Sequence, residues 1–412
     1  MDSDSQTNLT RRTLLMSSAG GALGGLIAAD DASAEERTPM SSRNVYRELG
    51  VKTIINAAGT FTALGGSLMP PEVIDAWIAA SRSFVDLAEL QDRVGEQIAR
   101  LLGVEAALVT TGAAGGMVLG TAAALTYRDE ARIARLPLPP EEGFEVIRQT
   151  SHRACYDNQV KACGVKLVDV ETAEQLEQAI GPRTAMLLSY NLNEPDGKIP
   201  RERWLRTAKR HGIPTLLDAA ADTPPLDRLS MYNQMGYDMV VFSGGKGIRG
   251  PQNAGLLLGR KDLIQAAKQN TSPNCGTIGR GMKVSKEDIV AMWAAVERFV
   301  RLDHAAELRE WERRISVIES ALQGIPTLAT ERITPEIANH VPHLLLRWDE
   351  KRVRLTAPQL KKQLSEGDPS IATARVHGTG DEGFLISVFM LQPGEEQIVA
   401  ARVRQALQAA TA

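Results

Sequence analysis

"VVFSGGKGIRGPQNAG", residues 240–255, is the stretch whose reading decides this chain. A run of β-branched and aromatic residues stops at Ser243. Two glycines follow, then Lys246, then more glycine and a proline. Glycine and proline punctuate surface turns, so a loop after a strand explains the stretch locally. The alternative is that Lys246 is presented into a site where something comes close to the backbone, which glycine permits and larger residues do not. What else in the chain converges on Lys246 decides between them.

Strands and helices alternate on both sides of this stretch. Residues 106–112, 144–150, 166–170, 184–191, 214–220, 237–244 and 254–260 read as strands, and 114–126, 154–164, 172–180 and 200–212 as helices. Apolar strands separated by helical patterns predict a mostly parallel sheet with both faces covered. Upstream, 52–73 reads as a short strand and a glycine-rich segment ending at a Pro-Pro helix start, and 72–103 shows helical periodicity closed by Gly103. Downstream, one long helix over about 285–323 leads to a small α+β region over 324–412 holding "HLLLRWD", "ATARVHG" and "FLISVFML".

The chain has 412 residues, a formal charge of -3 and few aromatics. That length suits a large core plus a second module, and the charge argues against a nucleic-acid partner. Residues 1–34 fall outside this pattern. "TRRTLLM" (10–16) carries Arg11 and Arg12, an apolar glycine-rich stretch follows, and "DASA" (31–34) resembles a cleavage site. This order predicts a twin-arginine export signal, hence the Tat translocon as a transient partner and a periplasmic or secreted location, with an apolar run too short for a stable membrane span. The expected organisation is a signal over 1–34, an N-terminal segment over 35–70, a large domain over 71–300 and a small domain over 301–412 completed by part of the N-terminal segment. Cys155, Cys163 and Cys275 show no metal-like spacing. Cys155 and Cys163 could pair in an oxidising compartment, although burial as small apolar residues is the simpler expectation.

Three pieces carry chemistry. "TTGAAGGM" (110–117) ends a strand and opens an apolar helix, where free N–H groups favour an anion. It lacks the Gly-Lys-Ser/Thr of a nucleotide loop, and a tight turn needs the same glycines. Asp218 ends the strand of "LLDAAAD" (216–222), at the edge where ligands bind in open α/β sheets. Asp222, followed by Pro224 and Pro225, reads as a cap or loop residue. Lys246 ends the next strand, where a desolvated amine becomes a nucleophile. A phosphate cradle, a carboxylate for a ring nitrogen and a lysine for an aldehyde together serve the needs of pyridoxal phosphate.

The order and wording of these motifs resemble the fold-type-I pyridoxal-phosphate enzymes, of the aspartate aminotransferase-like fold. Within them the chain is most similar to the selenocysteine synthase branch, which includes sugar-acid lyases such as D-glucosaminate-6-phosphate ammonia-lyase. The resemblance rests on Ser-Gly-Gly-Lys (243–246), Gly250-Pro251-Gln252, "INAAGTFTALGG" (55–66), "SHRACYD" (151–157), "GRGMKVSKEDI" (279–289) and "LQPGE" (391–395), across roughly 45–400. It implies pyridoxal 5'-phosphate on Lys246 as a Schiff base, Asp218 at the ring nitrogen, and Gly112, Ala113, Ala114, Ala220 and Ser243 around the phosphate and ring. It implies that His152 stacks near the ring. It also implies that Gln252 and Arg280 reach a neighbouring subunit's site, in a homodimer or higher homo-oligomer. Asn56 and Arg375 are expected at the substrate, Arg375 as a two-point clamp for a carboxylate.

The reaction expected from the resemblance is α,β-elimination from an amino acid or amino-sugar acid, with a small-molecule amine as substrate. Racemisation and transamination remain open, as does a non-catalytic exported binding protein of the same fold. Synthesis of selenocysteine on tRNA is not expected, because the chain is mildly acidic and an export signal would remove it from aminoacyl-tRNA.

Overall fold

The computed structural model describes residues 43–374 and 383–411. The expected export signal and Arg375 lie outside the described residues. Among the described residues, those from Thr53 onward form one compact unit, and 43–52 belong to a separate one. In the latter, the one described helix, Val45–Glu48, is capped by Asn44, whose side chain accepts from the Arg47 N–H at 3.0 Å.

The strands in chain order are β1 (Ile54–Ala57), β2 (Ala106–Thr110), β3 (Glu145–Gln149), β4 (Lys166–Val170), β5 (Thr184–Tyr190), β6 (Thr215–Asp218), β7 (Met239–Ser243), β8 (Gly255–Gly259), β9 (Ala329–Ile333), β10 (His343–Arg347), β11 (Ser370–Thr373) and β12 (Phe384–Ser387). Seven form the main sheet in the order β2-β8-β7-β6-β5-β3-β4. Only β8 runs against its neighbours, pairing antiparallel with both β2 and β7. The strands expected from the apolar runs are all present. Apart from the edge strand β4, their residues are buried almost without break, as in "MLLSY" (186–190), because helices cover both faces. Each fully buried Leu or Val there contributes roughly 2 kcal/mol.

The helix Gly112–Thr126 lies flat on this sheet, nearly all of it buried. A Cβ at Gly116 would stand 2.8 Å from Val241 Cγ1, and one at Gly120 would stand 3.2 Å from both Leu216 methyl groups. Its small residues therefore let the helix axis approach β6 and β7 closely.

Beyond the main sheet, β9, β10 and β12 form an antiparallel sheet in the order β12-β10-β9, and β1 pairs parallel with β11. The α+β expectation for the C-terminal region holds, although the expected strand "ATARVHG" (372–378) lies mostly outside the described residues, with β11 covering only its start, and one strand was unforeseen. β9, "ATERI", is an edge strand whose residues are largely exposed, so no apolar run announces it.

Three helices differ from expectation. The periodic stretch 72–103 is two helices, Pro71–Ser81 and Leu87–Leu102, because Asp86 caps the second by accepting from the Glu89 N–H at 2.9 Å. The expected long helix breaks in the same way into Lys286–Arg301 and His304–Ala321, with Asp303 capping through the Ala306 N–H at 2.9 Å. The helix expected over 154–164 is only Asp157–Lys161. The described residues contain no helix long and apolar enough to cross a membrane. All three cysteines are free, with Cys163 buried and Cys155 exposed, so no pair forms.

Candidate active site

The parallel strands β5, β6 and β7 end on the same edge of the sheet, and antiparallel β8 begins there. Gly255 opens β8, opposite Ser243 at the end of β7 and Thr110 at the end of β2. A Cβ on Gly255 would lie 2.4 Å from the Gly112 carbonyl carbon and 2.8 Å from the Ala113 nitrogen. Glycine at 255 is thus what lets the head of the helix Gly112–Thr126 sit against β8. Gly112 itself has φ 65°, and no atom lies within 4 Å of where its side chain would project. The Ala113 and Ala114 N–H groups precede the first intrahelical bond of this helix, which Gly115 makes to the Thr111 carbonyl at 3.1 Å. The structure therefore brings Gly112, Ala113, Ala114 and Ser243 to one place.

Asp218 ends β6, in register with Tyr190 of β5 and Val241 of β7. Its carboxylate accepts from the Ala220 N–H at 2.9 Å, and the Ala220 carbonyl accepts from the Ser243 N–H at 3.2 Å. Burial pushes the Asp218 carboxyl up to about 6, with the nearby Asp222 adding and the Ala220 N–H and Lys246 opposing. Such a carboxyl is short of a cationic partner, which a protonated ring nitrogen would be.

Lys246 follows three residues after β7 and is half-buried. Burial lowers the proton affinity of its amine, against the pull of Asp218 and Asp222. The flanking glycines do not leave room for a ligand. A Cβ at Gly245 would lie 2.4 Å from Gln252 Cα, and one at Gly247 would lie 2.1 Å from the Thr223 carbonyl oxygen. The neighbour that comes close is the protein's own backbone, and the lysine loop is clamped from both sides.

The remaining expected residues separate. Ala220 belongs to the Asp218–Ser243 link. His152 has no exposed surface, so it offers no face on which a ring could stack. Its Nδ1 accepts from the Tyr190 N–H at 3.1 Å, and its Nε2 lies 3.9 Å from a Glu194 carboxylate oxygen. Burial, with Arg201 and Arg148 adding, lowers it to about 4. It is a neutral buried histidine that holds the exit of β5. Asn56 also has another task. Its side chain accepts from the Ala58 and Gly59 N–H groups and donates to the Gly59 carbonyl, all at 3.0 Å, which shapes the turn after β1. Gln252 donates to the Thr62 carbonyl at 3.1 Å and so ties the 62–67 loop to the lysine loop. Arg280 is exposed in the segment before the helix Lys286–Arg301.

Two residues were missed. Asp222, expected as a cap or loop residue, is 1% exposed and accepts from the Asn191 side-chain N–H at 2.5 Å and the Tyr232 hydroxyl at 2.7 Å. Its closeness to two prolines hid this. Tyr156 is half-exposed, and its partial burial, with the Asp218 carboxylate acting on it, pushes its phenol up. A cavity of about 1380 Å³ opens elsewhere, on the flank of the helices Arg201–His211 and Arg228–Met235; Asn191 and Tyr232 are in its wall, Lys246 and Asp218 are not.

The observed residues fit pyridoxal phosphate. The open helix head suits a phosphate, Asp218 a cationic nitrogen and Lys246 an aldehyde. The family described as SelA: L-seryl-tRNA selenium transferase matches residues 54–310. The chain is 29% identical over 373 residues to D-glucosaminate-6-phosphate ammonia lyase of Salmonella typhimurium (strain 14028s / SGSC 2262), covering 88% of this chain and 97% of that protein. It is 29% identical over 339 residues to 5'-C-glycyluridine monooxygenase-decarboxylase of a Streptomyces species, covering 79% of this chain and 83% of that protein. The solved structure of D-glucosaminate-6-phosphate ammonia-lyase superposes with a TM-score of 0.75 at 28% identity, over 90% of this chain and 99% of that one. The chain therefore belongs to the SelA, L-seryl-tRNA selenium transferase, family, and it is an enzyme of the pyridoxal-phosphate fold.

Proposed function

We propose that the protein is a pyridoxal-phosphate-dependent lyase that removes ammonia from an amino acid or amino-sugar acid. The observation that carries this reading is the placement of Lys246 and Asp218 on adjacent strand exits, beside the open head of the helix Gly112–Thr126. When bound, pyridoxal phosphate supplies an electron sink for a substrate Cα. The N–H groups of Ala113 and Ala114, with Ser243, bind its phosphate. Asp218 holds the proton at its ring nitrogen, and Lys246 holds its aldehyde. With its aldehyde partner exchanged for the substrate amine, Lys246 would be the base for the Cα proton, a role that suits an amine whose proton affinity burial lowers. A relative named for ammonia loss, matched over nearly all of its length, supports elimination over other outcomes.

The site is further read as that of a homodimer. Phe61, Leu68, Ile74, Trp77, Ile78 and Phe84 form an exposed apolar band on the helix Pro71–Ser81 and its flanks. The 62–67 loop inside this band touches the lysine loop through Ser67, whose N–H donates to the Gly245 carbonyl at 2.9 Å. Export by the twin-arginine route is part of the same proposal and rests on Arg11, Arg12 and the residues that follow them.

The test is a screen of amino acids and amino-sugar acids with the purified, cofactor-loaded protein. Release of ammonia together with a 2-oxo acid supports the lyase. Exchange of the Cα hydrogen for deuterium with no ammonia released overturns it in favour of racemisation. If Lys246→Ala still yields a borohydride-fixed cofactor at the same peptide, the role of the lysine is wrong.

A further inference from the structure

We propose that Asp222 is a positioning residue for Lys246: a second buried carboxylate, clamped by Tyr232 and Asn191, that holds the charged form of the lysine nitrogen. The inference rests on the cofactor reading above and goes beyond it, because it concerns a residue outside the cofactor's own contacts.

Geometry places Asp222 at the lysine loop. It lies four residues after Asp218 on the exit of β6, and its N–H donates to the Ala219 carbonyl at 3.1 Å. The next residue, Thr223, runs so close to Gly247 that a Cβ there would meet the Thr223 carbonyl oxygen at 2.1 Å. Asp222 and Lys246 are thus on two backbone segments in direct contact. No side chain larger than a hydrogen is accommodated at that crossing, so the separation of the two segments is fixed.

The partners of Asp222 are neutral. It accepts from the Asn191 amide at 2.5 Å and the Tyr232 hydroxyl at 2.7 Å. Arg201 bonds the other end of Asn191, its Nη2 donating to Asn191 Oδ1 at 2.6 Å. Arg228 acts on Asp222 only at longer range. Burial raises the proton affinity of Asp222 itself, while the Tyr232 and Asn191 donors, with Arg228 and Lys246, act to keep it charged. Asp218 is the other acid that acts on Lys246. With the cofactor bound, Asp218 would be taken up by the ring nitrogen. Asp222 is then the carboxylate left to favour a positive lysine nitrogen, against burial, which disfavours it. Tyr190 and Tyr156 also face this edge as neutral phenols.

The test is a pH titration of the cofactor absorbance in the loaded enzyme, which reads the proton on the lysine-bound nitrogen independently of turnover. Asp222→Asn removes the charge and keeps the shape, so the midpoint falls by about one pH unit, tenfold in proton affinity. Tyr232→Phe removes one donor from the carboxylate and leaves the charge less shared, so the midpoint rises. Opposite shifts in the two variants support the proposal, since a merely structural role moves both the same way or neither. An unmoved midpoint in Asp222→Asn with cofactor retained overturns it. If Asp222→Asn fails to fold or to hold cofactor, Tyr232→Phe decides alone: a raised midpoint supports the proposal, and an unchanged or lowered one overturns it. If neither variant nor wild type shows a lysine-bound cofactor, it is the cofactor reading that has failed.

Discussion

Gly255 and Gly112 touch backbone to backbone: a side chain on Gly255 would begin 2.4 Å from the Gly112 carbonyl carbon. The contact joins the start of the antiparallel strand β8 to the head of the helix Gly112–Thr126, and it sets where that helix presents its free N–H groups. Gly255→Ala must therefore push the helix head away. The expected result is a loss of about 1–3 kcal/mol in stability and a cofactor affinity at least tenfold weaker. Thermal unfolding with and without added pyridoxal phosphate measures both. An unchanged cofactor affinity would mean that the helix head does not hold the phosphate.

His152→Gln distinguishes a buried strut from a ring contact. The substitution leaves the Tyr190 N–H without its imidazole acceptor and disturbs close packing. Stability should fall by about 1–3 kcal/mol, while the absorbance of the bound cofactor stays where it was. A displaced cofactor band with little loss of stability would restore the stacking role.

Acid should destabilise the protein through two histidines. His152 and His343 are both held at about 4, below the ordinary 6.5, mainly by burial. A histidine whose folded pKa is depressed favours the folded state fully above 6.5 and loses that contribution as pH falls toward 4. Each accounts for roughly 3 kcal/mol across that window. Asp218, raised to about 6, acts with the opposite sign: it favours folding fully below its ordinary 3.8 and loses that contribution as pH rises through 6. Urea midpoints measured from pH 7 to pH 4 should therefore decline, and His343→Gln should flatten the decline. An acid limb unaltered in that variant would remove His343 from the account.

Charging the apolar band tests the assembly. Phe84 is fully exposed and Leu68 is two-thirds exposed, so Leu68→Asp with Phe84→Asp leaves the fold of the single chain intact. Light scattering should show a smaller particle than for wild type, with weaker cofactor retention. If the mass is unchanged, the interface lies elsewhere.

Asn56→Ala removes three hydrogen bonds from one turn. The expected cost is about 1–2 kcal/mol of stability, with KM for the identified substrate unaltered. A raised KM at unchanged stability would return Asn56 to the substrate.

Much of the main sheet was legible because its signals are local. A buried parallel strand is a continuous apolar run, and the runs ending at Asp218 and Ser243 announced both strand exits and the lysine beyond them. The two helix breaks were legible in principle. Asp86 and Asp303 are capping residues inside periodic stretches, and the periodicity masked them. β9 was not legible, since an exposed edge strand needs no apolar pattern.

The roles of His152, Asn56 and Asp222 were decided elsewhere. The resemblance implied a ring contact for His152, Asn56 was expected at the substrate, and the prolines after Asp222 suggested a loop cap. The fold made them a strut, a turn and a buried carboxylate beside the lysine. Periodicity and strand-end chemistry determined the α/β class and the placement of Asp218 and Lys246 at the ends of successive strands, and the resemblance carried by the lysine motif implied the cofactor; that those two strands are neighbours in the sheet was decided by the fold. Only the tertiary structure decided what each polar side chain does. A hydrogen-bond partner such as Asn191 for Asp222, 31 residues away, is chosen by strand order and burial. The glycines around Lys246 show the same division. Their presence is written in the chain, but the close neighbours they admit, Thr223 and Gln252, are set by how the chain crosses itself.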